Sequence, residues 1–351
     1  MKKLWMLLIV LALLATALPT FASDVTFSGR MIWSGLYDPD FGAGSGLVRF
    51  RPKLTAKIDD FNTLVAEFRM EDVWVTRPFI TTPDIVPGVR VKDAYVTTDV
   101  TGALGLDLPV TISTKIGQFE PGFTDWAYAS ESGWENYYDW PNKLADVGPF
   151  SAQTTGQVDI GFGPATLHVY SDFLGFMMVG LSGGFGPVSG WLTYQAPASG
   201  FGDGIIGIEA KYAGEFGDIK LGVPVFFRYE LADPPADGFA YTYGVGASVD
   251  YTMFHVAAGV EGDDVDALDN VVIDVGVKPV ENLQLKVNTY LDLAAASALS
   301  GIDIQANYMF GATKFMLGWV VPGDVTTDAI PINGDTFGVA NGLYFAVDVS
   351  F

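Results

Sequence analysis

A chain of 351 residues with a net charge of −22, 49% hydrophobic residues, 14% aromatics, 41 glycines and no cysteine is an odd mixture for a soluble globule. The acidity argues against nucleic-acid binding, which needs a basic footprint. The missing cysteines exclude disulfides, thiolate metal sites, cysteine nucleophiles and an acylated N-terminal cysteine.

Lys2 and Lys3 precede an apolar run of 15 residues from Leu4 to Leu18, and Thr20-Phe21-Ala22 then offers small residues where a signal peptidase reads. The run is short for a spanning helix, which needs about 20 residues. Residues 1–22 are expected to be a cleaved secretory signal peptide and residues 23–351 one domain. Loss of Lys2 and Lys3 takes the net charge from −22 to −24. High apolar content with high acidity suits a barrel with an apolar belt, a polar lumen and acidic loops, and such a barrel uses this length as one unit.

The first strand is placed at 24–36, followed by a loop at 37–46 and a strand at 47–58. In that second strand Arg49, Arg51, Lys53 and Lys57 alternate with Val48, Phe50, Pro52, Leu54, Ala56 and Ile58. A cation at the bilayer midplane costs a barrel about 2–4 kcal/mol, so these four side chains must face water. After the turn Asp59-Asp60-Phe61-Asn62 a third strand runs to about 72, with Glu67, Arg69 and Glu71 continuing the polar wall. A segment at 73–87, a strand at 89–100 and another at 109–119 follow. Of the 19 cations, 11 lie between Arg30 and Lys143, whereas residues 144–351 carry 6 cations against 24 acids. The first strands therefore build a basic wall, read either as an ion-selecting surface or as solvated charge that keeps the lumen wet.

Around this region the chain resembles the phosphate-selective porin family. The residues are Lys115-Ile116-Gly117-Gln118-Phe119-Glu120-Pro121-Gly122-Phe123, with Asp93-Ala94-Tyr95-Val96 before them. Glu120 stands where that family usually has lysine, and the loops lack its many lysines. The resemblance implies porin architecture, not phosphate specificity.

Segment 120–150 holds Trp126, Tyr128, Trp134, Tyr137, Tyr138 and Trp140 among Asp125, Glu131, Glu135 and Asp139. A loop this long and aromatic is expected to have a function. By strand parity it is the third outer loop, the place where general bacterial porins fold a loop into the barrel. Asp125, Glu131, Glu135 and Asp139 are accordingly constriction-loop candidates.

Beyond it, Gly161-Phe162-Gly163-Pro164, Gly184-Phe185-Gly186-Pro187 and Gly214-Glu215-Phe216-Gly217-Asp218 read as tight periplasmic turns. Segments 197–204, 232–240, 262–270, 294–301 and 322–342 read as outer loops. Between them residues alternate. Leu283, Leu285, Val287, Thr289, Leu291 and Leu293 oppose Gln284, Lys286, Asn288, Tyr290 and Asp292. Period two over this length is the rhythm of a tilted membrane strand. Tyr241, Tyr243, Val245, Ala247, Val249 and Tyr251 form a second such face, with tyrosines toward both ends like an interfacial girdle.

The full count is 18 strands; 16 follow if the glycine-rich segment 172–190 is not paired. The fold class is an all-β, transmembrane, antiparallel up-and-down β-barrel of 16–18 strands. The chain stops on an alternating strand with Leu343, Phe345, Val347, Val349 and Phe351 on one face. This resembles the C-terminal signature that the barrel-assembly machinery reads in bacterial outer-membrane proteins.

Catalytic chemistry is not expected. There are two histidines, His168 and His255. His168 lies near Ser171 and Asp172, but neighbouring strand residues point to opposite faces, and a triad needs all three groups in hydrogen-bond reach. The acidic run 263–270 lacks the glycine and terminal glutamate of an EF-hand loop and reads as solvated. No metal or cofactor is expected.

The expected function is a water-filled channel of the Gram-negative outer membrane for passive diffusion of ions and small hydrophilic solutes, with weak anion preference. Expected partners are outer-membrane lipids, the barrel-assembly machinery, small solutes and further copies in a homotrimer; no nucleic acid is expected. The alternative is a non-conducting barrel, either an envelope anchor or a hydrophobic-substrate transporter. A transporter of that kind usually carries an N-terminal plug, whereas here the first strand begins within a few residues of the cleavage site.

Overall fold

The computed structural model describes residues 24–38, 43–76, 88–119, 153–172, 175–196, 204–231, 240–265, 268, 270–293, 299–322, 330–332, 335–337 and 342–351. The signal-peptide segment lies outside them.

The strands in chain order are β1 (Asp24–Asp38), β2 (Ala43–Lys57), β3 (Asn62–Thr76), β4 (Gly88–Asp99), β5 (Thr111–Phe119), β6 (Gln153–Phe162), β7 (Ala165–Asp172), β8 (Met177–Phe185) and β9 (Val188–Ala196). They continue as β10 (Ile205–Phe216), β11 (Ile219–Glu230), β12 (Tyr241–Tyr251), β13 (Phe254–Asp263), β14 (Asn270–Val280), β15 (Leu283–Asp292), β16 (Leu299–Phe310) and β17 (Thr313–Pro322). A separate two-stranded ribbon, β18 (Ile330–Ile332) and β19 (Asp335–Phe337), precedes the last strand β20 (Gly342–Ser350). From β1 to β17 each strand pairs antiparallel with the next. The pairings β17–β20 and β20–β1 close the ring into an 18-stranded barrel.

Closure leaves no free edge, so every strand can satisfy its backbone within the sheet. Registers place one set of side chains inside and the other outside all the way round. On β12 the outer set is Tyr241, Tyr243, Val245, Ala247, Val249 and Tyr251. On β15 to β20 it includes Leu285, Val287, Ile304, Leu317 and Phe345, all exposed. Inside stand Lys286, Asn288, Asp303, Gln305 and Asn307, all buried. Apolar out and polar in is the pattern of a barrel whose solvent is lipid.

Short turns gather at one end. Gly163 and Gly186 take φ of 60° and 58°, the sign required at the first position of a type II′ hairpin turn, and Pro164 and Pro187 follow. At Thr252 the same backbone sign, φ 51°, falls to a β-branched residue. By the rule of short periplasmic turns this end is periplasmic.

Two strand bounds need correction, and the strand count is 18. The loop at 37–46 is shorter: β1 runs to Asp38 and β2 begins at Ala43, with Tyr37 opposite Gly44. The stretch Ala43-Gly44-Ser45-Gly46 has too few large side chains to show a period, yet its backbone pairs. β3 extends to Thr76 rather than 72. Segment 172–190 does supply a hairpin, β8 and β9. Its pattern is faint because Gly180 and Gly184 occupy inner positions of β8.

The seam joins residues from the two ends of the chain. Inside, the Arg30 guanidinium donates to both carboxylate oxygens of Asp348 at 2.6–2.9 Å. Outside, Phe351 exchanges two backbone hydrogen bonds with Gly29, of 2.8 and 3.0 Å. Its ring lies 5.7 Å from both Phe27 and Phe50. A Cβ on Gly29 would come within 2.6 Å of that ring, so glycine is what lets the ring lie on β1.

Facing is directly testable, and the cysteine-free chain gives no background. Cysteines replacing Ser248 and Asp250 should react with a membrane-impermeant thiol reagent in folded barrels, and those replacing Val245 and Val249 should not. The reverse pattern would mean a register off by one residue.

Candidate functional site: the lumen wall

The candidate site is the inner surface. On β2 the register puts Arg49, Arg51, Lys53 and Lys57 inside, across from Ile32, Arg30, Ser28 and Asp24 of β1. On β3, Glu67 and Arg69 share that face, with Glu67 opposite Lys53, and the backbone of Glu71 pairs with that of Arg49. The side chain of Glu71 lies outside the described set.

Arg51 donates to Glu67 Oε1 through Nε at 2.9 Å, and its Nη2 lies 2.8 Å from the same oxygen. A β-bulge on β4 between Val91 and Asp93 brings Lys92 Nζ within 3.8 Å of that carboxylate. Two cations on one acid leave this patch net positive. Arg49 is buried at 5% exposure. Lys57 differs from its neighbours. It sits at the mouth, 3.0 Å from Asp60 in the turn, and is exposed. The Asp59 carboxyl beside it is held below the usual carboxylate range by the Asn62 side-chain amide, then by the Phe61 backbone N–H.

Sequence reading missed Arg30, Lys92 and Lys115 as inner cations on this side of the barrel. Lys115 on β5 sits 4.1 Å from the ring centroids of both Tyr95 and Phe119. It belongs to an apolar patch of the inner wall in which Phe119, Tyr170 and Met178 are fully buried. The alternation Lys115, Gly117, Phe119 mixes chemistries and hides the face. The constriction-loop candidates Asp125, Glu131, Glu135 and Asp139 lie outside the described residues.

The arc from β10 to β16 is rich in acids. Glu209, Glu230, Glu261, Asp263, Asp274 and Asp303 all occupy inner positions and are buried, and Asp348, also buried, lies beside Arg30 at the seam. Lys286 Nζ meets Asp274 at 2.9 Å, and Tyr344 donates to Asp303 at 2.6 Å.

His168 has partners other than those adjacent in sequence. Its Nδ1 lies 2.7 Å from Asp159 Oδ1 on β6 and its Nε2 2.8 Å from Ser182 Oγ on β8. Ser171 points outward, and Asp172 instead accepts from the Phe176 backbone N–H. The available signal was the turn: counting equal steps from Gly163-Pro164 sets Asp159 opposite His168. Among the described residues no group of three or more potential metal ligands forms.

No family model matches the chain, and no curated protein does. Solved structures match over nearly its whole length. A mutant of the Rhodopseudomonas blastica porin is 14% identical, with 93% of this chain and 100% of that one covered and a TM-score of 0.52. Pseudomonas aeruginosa OpdK with vanillate is 11% identical, covering 94% and 99%, with a TM-score of 0.60. Pseudomonas aeruginosa OprD is 10% identical, covering 94% and 95%, with a TM-score of 0.56. At these identities the likeness carries the fold. The chain has the fold of the outer-membrane porins and channels.

Proposed function

We propose that this barrel is a water-filled diffusion channel for ions and small hydrophilic solutes, weakly selective for anions. One observation carries the reading: Arg30, Arg49, Arg51, Lys53, Arg69, Lys92 and Lys115 stand on the inner side of five consecutive strands, β1 to β5. Charges on a fixed wall act on any ion passing within a Debye length, about 8–10 Å at physiological salt. Barrels of this strand number leave an aqueous lumen when their loops do not fill it. OpdK is described with vanillate, an anion, and a basic wall suits such solutes. The acids Asp125, Glu131, Glu135 and Asp139 are proposed to narrow the lumen opposite that wall. Facing rows of opposite charge would orient dipolar solutes.

Conductance of purified protein in a planar bilayer tests the reading. Discrete steps with a near-linear current–voltage relation are expected, and a zero-current potential across a KCl gradient that favours chloride. Insertion without conductance would turn the assignment to the anchor or hydrophobic-transporter alternative.

A further inference from the structure

The inner wall also carries a hydrogen-bonded chain that diffusion does not use. Asp159, His168 and Ser182 lie on three successive strands, β6, β7 and β8, a few residues above the periplasmic turns. An ionised carboxylate can only accept, so the 2.7 Å contact fixes the proton on His168 Nδ1. In the neutral ring Nε2 then presents its lone pair to the Ser182 hydroxyl at 2.8 Å. A hydroxyl donating to an imidazole that a carboxylate orients is the arrangement that activates serine for acyl transfer.

The surroundings hold this geometry. Gln157 Nε2 donates to the same Asp159 oxygen at 2.8 Å. Trp191 stacks on the His168 ring, with centroids 5.0 Å apart and planes 27° apart. Gly180 is the residue opposite His168, so no side chain blocks the ring from leaning across to Ser182. Gly180 and Gly184 are also the inner-face neighbours of Ser182 along β8. Along its own strand the hydroxyl therefore has no neighbouring side chain on the inner face. Thr166 and Trp191, directly opposite Ser182 on either side, bring an O–H and an N–H to the same face.

We propose that Ser182, His168 and Asp159 form a hydrolytic centre on the lumen wall for small water-soluble carboxylic esters. Ser182 Oγ adds to the ester carbonyl carbon as its proton passes to His168 Nε2. The tetrahedral oxyanion takes hydrogen bonds from Thr166 or Trp191. The C–O bond to the alcohol then breaks, His168 protonates the departing alkoxide, and an acyl ester remains on Ser182. Water adds to it, giving its proton to His168. The acid is released and the proton returns to Ser182, so ester and water become acid and alcohol. Asp159 acts as a positioning residue that holds the tautomer.

The test is labelling of the purified, folded barrel with a fluorophosphonate probe, whose phosphorus takes a serine oxygen with loss of fluoride, followed by peptide mapping and by turnover of p-nitrophenyl acetate. Wild type should carry the probe on Ser182. S182A and H168A should lose both labelling and turnover, and S171A should keep both. D159N should lower kcat by about a thousandfold or more with KM little changed. Heat-modifiable migration checks that each variant is folded, and mapping on wild type decides the site if S182A does not fold. No labelling of wild type above S182A, or mapping to another residue, overturns the proposal.

Discussion

Deleting Phe351 should lower the amount of folded barrel in the outer membrane about tenfold or more, while export of the chain is unchanged. Tenfold corresponds to about 1.4 kcal/mol, and the deletion removes more than that: two backbone hydrogen bonds at about 0.5–1.5 kcal/mol each, and two ring contacts of similar worth. It also exposes the end of β20 at the one place where the ring must close. Changing Phe351 to alanine separates the parts, since the backbone pair with Gly29 survives and only the contacts with Phe27 and Phe50 go. We propose that Phe345, Val347, Val349 and Phe351 together are what the assembly machinery reads. Phe345 packs edge-on against Trp33 at 5.0 Å, so the same residues that would signal assembly also seal the product. Heat-modifiable migration and protease resistance measure the outcome; normal levels of folded barrel in the deletion would end the argument.

Changing Arg49, Arg51 and Lys53 together to glutamate should turn weak anion preference into clear cation preference. In a water-filled gap, a charge at about 4 Å is worth about 1 kcal/mol, so the permeability ratio should move about fivefold or more. Glu67 adds to the effect. It is paired with Arg51 in the wild type, whereas a glutamate at 51 would leave it facing a like charge beside it. The same change at Lys57 should have little effect, because that side chain lies at the mouth with Asp60. The zero-current potential across a KCl gradient reads all three proteins. Cation preference in the wild type would reverse the assigned sign. An unchanged potential in the triple variant would remove these residues from the narrow part of the lumen.

The strands and their facing were legible in the sequence because a period of two is written directly by membrane and water on opposite sides. β15 shows this most plainly. Tight turns were legible where Gly-Pro pairs mark them, and they set the parity. What the period could not show is pairing where both faces carry small residues. Thus β2 begins at Ala43, earlier than its large side chains suggest, and β8 hides behind Gly180 and Gly184. Inner-wall chemistry was legible in part. The four cations of β2 stand out because they lie along one strand. The Asp159–His168–Ser182 chain does not, because its members are 9 and 14 residues apart and meet only across strands. Lys92 escaped for another reason: the β-bulge that re-aims it leaves no mark in the alternation.

The outer face has a consequence for how the chain travels. Phe27, Trp33, Val249, Ile304, Leu317 and Phe345 are exposed in the folded barrel. Monomeric proteins in water rarely expose contiguous apolar patches beyond a few hundred Å². The native state therefore includes a bilayer as a component, and no comparable folded form exists in water. Any aqueous stretch on the way to that bilayer has to be crossed unfolded and shielded, and folding goes together with insertion. Its stability is then a property of barrel and lipid together. It should change with the thickness of the hydrocarbon layer, so that a lipid too thick or too thin for the belt destabilises a barrel whose internal contacts are all intact.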